Sequence, residues 1–156
     1  MKIDEIVSAI EKLPVEVQER VYEDLTDLKR AKKREEAQVN YMKYVKAMWP
    51  GFVHGRHHAL MAKKFEAIAE GKLKRLIINM PPRHTKSEFA SYLLPSWYLG
   101  KNPGKKVIQC SNTAELAVGF GRKVRNLVDS EHYAEIFPNV SLRVDSKAAG
   151  RWATSG

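Results

Sequence analysis

The sequence contains one cysteine, Cys110, so no internal disulfide is available and a reducing compartment is the default expectation. Cys110 follows Val107 and Ile108, a setting that predicts a buried small hydrophobe rather than a nucleophile. No run of residues is long and apolar enough to span a bilayer. The opening MKIDEIVSAIEKL mixes charged and apolar residues and lacks the apolar centre of a signal peptide, so a soluble, cytosolic chain is expected. Acids are in deficit: 18 Asp and Glu face 27 Lys and Arg, a net charge of +9. An excess of that size favours an anionic partner, most often nucleic acid, through neutralised phosphates and released counterions. A basic protein without such a partner remains equally open on charge alone, and charge carries no information about base sequence. Internal repeats and low-complexity tracts are also missing.

What is present is a chain of 156 residues, 44% of them hydrophobic, which suffices for one domain with its own core. Residues 1 to about 48 have helical periodicity. Ile3, Ile6, Val7 and Ile10 form one short apolar stripe, and Val17, Val21, Leu25 and Leu28 form another after Pro14, which suits a first helical turn. The charged continuation KRAKKREEAQ reads first as a solvated helix face and second as an arm touching DNA or a partner subunit. Aromatic residues then gather at Tyr41, Tyr44, Trp49 and Phe52, and Pro50 and Gly51 end the helix. Periodicity returns over 57–70, with Gly71 as its stop.

Leu76-Ile77-Ile78 and Val107-Ile108-Gln109-Cys110 read as buried parallel strands. A helix from about Lys86 through Trp97 separates them, and another runs from about Thr113 to Val128. The order strand, loop, helix, strand, helix predicts an α/β fold with a parallel sheet.

The informative segment is LIINMPPRHTKSE. A phosphate-binding loop needs a strand, a tight turn and a helix starting at the anion, where backbone N–H groups and the helix dipole point at negative charge. It also needs a lysine for the outer phosphates and a following hydroxyl for Mg2+. Lys86, Ser87 and the flanking elements supply these in order. The glycines of G-x-x-x-x-G-K-[ST] are absent, with Met80 and Thr85 in their places. Pro81 and Pro82 can fix the turn instead but have no N–H to donate, leaving the amides of Arg83, His84, Thr85, Lys86 and Ser87. By that pattern alone, an ordinary strand-to-helix loop with a surface Lys-Ser is the better reading.

The wider stretch, IINMPPRHTKSEFASYLLPSWYLGKNPGKKVIQCSNTAELAVGFGRKVRNLV, resembles large terminase subunits of tailed bacteriophages. Their phosphate loop commonly has the form PPR-x-x-K-S, and the likeness runs from about Trp49 to the end of the chain. The resemblance implies an α/β architecture: an incomplete P-loop NTPase-type parallel sheet with flanking helices over 49–156, preceded by an N-terminal helical extension over 1–48. It implies that Lys86 contacts the β- and γ-phosphates of ATP, that Ser87 holds Mg2+, and that Arg83 senses or stabilises the γ-phosphate. A guanidinium suits that last task, although a salt bridge to a nearby carboxylate is the plainer role. Pro82 and His84 belong to the same nucleotide loop, His84 in a structural role. Thr85 stands where the family usually has glycine, so its Cβ bears on how tightly phosphate is held. FVHGRHHALM resembles the adenine-side segment, with Trp49, Phe52 and His57 as candidates; core packing accounts for each of them equally simply. Arg122, Lys123 and Arg125 form a possible DNA or subunit contact, or else a solvated face.

The resemblance further implies double-stranded DNA, a portal protein and a small terminase subunit as partners, assembly into a ring, no membrane, and residence in the cytoplasm of the infected host cell. Hydrolysis also needs a strand ending in paired acids. Only Asp145, in SLRVDS, follows anything strand-like; Arg143 interrupts its apolar run, and it is rejected for that role. The acidic strand and a metal-dependent nuclease domain are therefore expected beyond residue 156, making the chain a fragment that lacks turnover by itself. Two other readings stay open: a helicase-like ATPase, against which the PPR loop argues, and a nonhydrolysing nucleotide- or DNA-binding assembly module.

Overall fold

The computed structural model describes residues 3–148 and 150–155. It is predominantly helical. The elements are α1 (Ile3–Glu11), α2 (Val15–Val39), α3 (Tyr41–Met48), α4 (Arg56–Ala69), a π-helical segment (Glu88–Leu93), α5 (Leu94–Lys101), α6 (Ala114–Val128), α7 (Glu131–Ile136), β1 (Leu142–Lys147) and β2 (Trp152–Thr154).

The chain divides into two units, Met1–Glu35 and Glu36–Gly156. In the first, Gln18 donates its side-chain amide to the carbonyls of Glu11 (3.1 Å) and Leu13 (2.8 Å), closing the turn from α1 to α2. The apolar stripes expected here do form on helices, but no residue of α1 is buried, and Val17, Leu25 and Leu28 remain exposed.

The second unit holds the core. Tyr41, Tyr44, Phe65, Phe89, Leu93, Trp97, Val124 and Tyr133 are buried at its centre. Tyr41 meets Phe65, Phe89 and Trp97 edge-on, with centroids 5.1–5.4 Å apart, the arrangement that ring quadrupoles favour. Helix starts follow local chemistry: the side chains of Asn40, Thr113 and Ser130 accept from Lys43, Leu116 and Tyr133 N–H respectively. Gly71 takes φ +74° just past α4, where a Cβ is disfavoured.

The expected parallel P-loop sheet is not there. The one sheet among the described residues is the antiparallel pair β1–β2, with an irregularity in register between its ends. Residues 73–80 and 105–111, which contain the two apolar runs read as strands, form neither helix nor strand and pair with no other segment among the described residues. A parallel sheet depends on hydrogen bonds between distant segments, and two runs of β-branched residues do not make one unless they come side by side. The first run lies on the helical core with Leu76, Ile78 and Met80 inward and Ile77 86% exposed, so its period-two pattern persists without a partner. In the second, Ile108 is 87% exposed and Cys110 is exposed rather than buried, since no neighbouring strand covers it. The β1–β2 hairpin, of which only SLRVDS was strand-like in sequence, is tied down by Trp152 Nε1 donating to Gly121 O (3.1 Å) and Thr154 Oγ1 to Pro103 O (2.9 Å).

Residues 86–101 are helical without a break, but the middle is widened. Leu94 N–H reaches back to Phe89 O, and Pro95 has no N–H for Ser91 O, which accepts from the Gln109 side chain instead. Thus a proline inside the helix is accommodated, and the segment 105–111 is anchored by the carbonyl it leaves free.

Gly100 is required by a close approach. A Cβ there falls 2.5 Å from ring carbons of the buried Phe137. Gly100→Ala is expected to lower stability by about 1–3 kcal/mol in urea unfolding, through overpacking. Gly104→Ala, where a Cβ meets nothing within 4 Å, serves as the control and is expected to change it by under about 0.5 kcal/mol.

Candidate nucleotide site

The loop 79–85 leads into the helix that begins at Lys86, with no strand before it of the kind a phosphate loop follows. Phe89 N–H donates to Thr85 O (2.9 Å), the first helical bond of the run. The amides of Lys86, Ser87 and Glu88 therefore lie in the first turn, where N–H groups have no helical acceptor. Arg83 and Thr85 both take left-handed backbone, at φ 64° and 59°. That region is easy for glycine and disfavoured for a β-branched residue. The turn thus adopts a conformation that its sequence does not favour.

Arg83 is exposed and Lys86 half-buried, and neither forms an ion pair among the described residues. The salt-bridge role considered for Arg83 is therefore not realised in the described structure. Pro82 contributes its carbonyl, which lies 2.9 Å from His84 Nδ1. Ser87 is exposed at the helix start and lines a cavity of about 590 Å3 together with Ala90, Leu94, Lys106, Gln109 and Phe120. None of Trp49, Phe52 or His57 borders that cavity, so it does not unite the phosphate and adenine candidates.

Those three residues gather elsewhere around the loop. Trp49 packs on Phe52 (5.3 Å between centroids), and Phe52 packs on His58 (4.8 Å) and Phe89 (5.8 Å). His57 approaches His84 of the loop, with centroids 6.2 Å apart, and its Nε2 lies 3.1 Å from that of His58. The end of α3, the start of α4 and the loop thereby share one aromatic and imidazole cluster.

His58 is the residue that sequence reasoning missed. It is 4% exposed, and its Nε2 lies 2.6 Å from Thr85 Oγ1. Its Nδ1 accepts from Gly55 N–H (2.9 Å), standing in for the glutamate of a capping box at the start of α4. Burial, followed by the nearby His57 and His54 rings, pushes its pKa down to about 4. It is neutral at physiological pH. The signal available in sequence was the pair His57–His58 in a helix's first turn, and only the fold distinguishes the two.

On α6, Lys123 binds Glu88 (3.0 Å), linking that helix to the π-helical segment. Arg122 is exposed, and Arg125 is half-buried with its guanidinium on Asn126 Oδ1 (3.0 Å). Asp145 lies on β1, paired with Arg143 at 2.7 Å. No group of three or more His, Cys, Asp or Glu among the described residues is placed to hold a metal ion. No helix among them is long and apolar enough to cross a membrane. The chain matches no protein-family model, no curated protein and no solved structure.

Proposed function

We propose that the chain is an ATP-binding part of a viral DNA-packaging motor of the large-terminase type, with the triphosphate seated on residues 83–87. The observation that carries this reading is the conjunction in that loop: two left-handed residues, two cations without a carboxylate partner among the described residues, and the first turn of a helix. Such a turn offers N–H groups and partial positive charge to an anion. Lys86 neutralises the outer phosphates, Arg83 reaches the γ-phosphate from the exposed side, and the Ser87 hydroxyl joins the phosphates in holding Mg2+. Trp49, Phe52 and His57 offer flat apolar and imidazole surface beside the loop for the base. Double-stranded DNA, a portal protein, a small terminase subunit and further copies in a ring are the partners this role entails, in the cytoplasm of an infected cell. The charge of +9 suits the DNA.

A second reading, binding without turnover, is favoured by the acids. Glu88 is held by Lys123 and Asp145 by Arg143, and no carboxylate cluster accompanies the loop among the described residues. Equilibrium binding of MgATP tests the shared core of both readings. Lys86→Ala is expected to weaken it at least about tenfold, the loss of a charged hydrogen bond. Equal affinity in the two proteins would end the nucleotide reading, and ATP turnover by the chain would exclude the second.

A further inference from the structure

The loop's left-handed turn has a support that the P-loop pattern does not contain. Thr85 is half-buried, and its hydroxyl sits between two groups: His58 Nε2 at 2.6 Å and His84 O at 2.7 Å. The directions of these bonds are fixed by the third. Gly55 N–H occupies His58 Nδ1, so in the neutral ring the proton is on Nε2. That one proton has two neighbours, Thr85 Oγ1 at 2.6 Å and His57 Nε2 at 3.1 Å; Nε2–H donates to the nearer Oγ1, and Oγ1–H donates onward to His84 O. The chain of bonds runs from the backbone at the start of α4, through a buried ring wedged against Phe52 and Phe89, into the backbone of the loop. Glycine at position 85 would enter this conformation freely; threonine needs something to hold it there.

We propose that His58 and Thr85 form a latch that sets the anion loop in its binding conformation before the ligand arrives, making both of them positioning residues for the nucleotide phosphates. The inference rests on the nucleotide reading above and deepens it. Without the latch the loop samples other backbone states, and only the competent fraction binds, so affinity falls by that fraction. Thr85 is then not a weakened glycine but one half of a pair.

The test measures MgATP and MgADP affinity alongside urea unfolding in six proteins: the parent chain, Thr85→Val, His58→Phe, their double variant, Thr85→Ser and His58→Gln. Valine keeps the branched shape without the hydroxyl, and phenylalanine keeps the ring without the nitrogens. Each is expected to weaken binding about tenfold, with the double variant no weaker than either single one, as for two halves of one interaction. Serine restores the hydroxyl, and glutamine offers one acceptor and one donor in place of the ring nitrogens; both are expected to bind within about threefold of the parent. Parent-like affinity in Thr85→Val and His58→Phe, or fully additive losses, would overturn the latch. So would losses that follow unfolding midpoints rather than the hydroxyl. Lys86→Ala in parallel separates the two levels. If it too binds like the parent, the nucleotide reading has failed and the latch with it; if it alone loses binding, the latch has failed by itself.

Discussion

Trp97→Ala is expected to lower the unfolding free energy by about 3–5 kcal/mol, the range for removing a large buried aromatic side chain. The ring is fully buried, meets Tyr41 edge-on at 5.2 Å, and has Lys101 Nζ 4.5 Å above its face. Its indole N–H also donates to Ala37 O at 2.9 Å. That carbonyl lies in the last turn of α2, where helical partners run out, and the Tyr41 N–H four residues on donates to Glu66 Oε1 (2.8 Å) instead. Trp97 thus closes the end of one helix while filling the centre of the core. Trp97→Phe retains most of the volume and is expected to lose about 1–3 kcal/mol, the cost of leaving a buried carbonyl unpaired. Urea unfolding followed by circular dichroism measures both. A loss below about 1 kcal/mol for the alanine variant would show that the ring is not packed as described. The site depends on this packing: Tyr41, held by Trp97, donates its hydroxyl to Phe89 O, one turn beyond Lys86.

Acidification is expected to destabilise the second unit through His58. The folded protein holds this ring's pKa at about 4, against 6.5 for an unperturbed histidine. Between those values the unfolded chain binds a proton that the folded one does not. The contribution is therefore fully present above about pH 6.5 and fades as pH falls towards 4. The cause is burial first, with His57 and His54 adding repulsion between charged rings. A protonated Nδ1 also turns the Gly55 N–H contact into donor against donor. Carboxylates titrate in the same range, so the informative quantity is the difference between the parent and His58→Gln, which cannot titrate. Stability of the parent should fall faster than that of the variant below pH 6.5. A difference that stays flat from pH 7 to pH 4 would mean that the ring is protonated as easily folded as unfolded.

The helices over 57–70 and 113–128 were legible because their signals are local: each repeat buries one face, and Thr113 caps the second. The break at Asn40 and the short α7 after Ser130 were not read, although both begin at a side-chain cap. The strand expected at 76–78 did not form, although Leu76, Ile78 and Met80 pack on the core while Ile77 faces water. Sheet pairing was not legible, because it depends on which segments come together rather than on what each contains. The same distinction separates Lys86 and Ser87 from His58. A lysine and a hydroxyl before a helix are visible in a short string, whereas the bond from His58 to Thr85 joins residues 27 positions apart. His57 is the candidate ring in the sequence, but its buried neighbour His58 makes the contact with the loop, at the side-chain hydroxyl of Thr85. SLRVDS was the one strand-like stretch near an acid and supplies most of β1, where the Arg143 that breaks its apolar pattern pairs with Asp145 on an exposed hairpin.

The uncovered stretches around Ile77 and Ile108 govern how the chain behaves as a colloid. Each presents a β-branched side chain to water beside backbone groups that no ladder occupies, a surface on which other extended chains readily settle. At low ionic strength the charge of +9 keeps copies apart. Added salt shortens the reach of that repulsion to about 8 Å under physiological conditions and leaves the apolar attraction in place. The chain is therefore expected to stay dispersed better in dilute buffer than in saline, as light scattering against salt concentration would read.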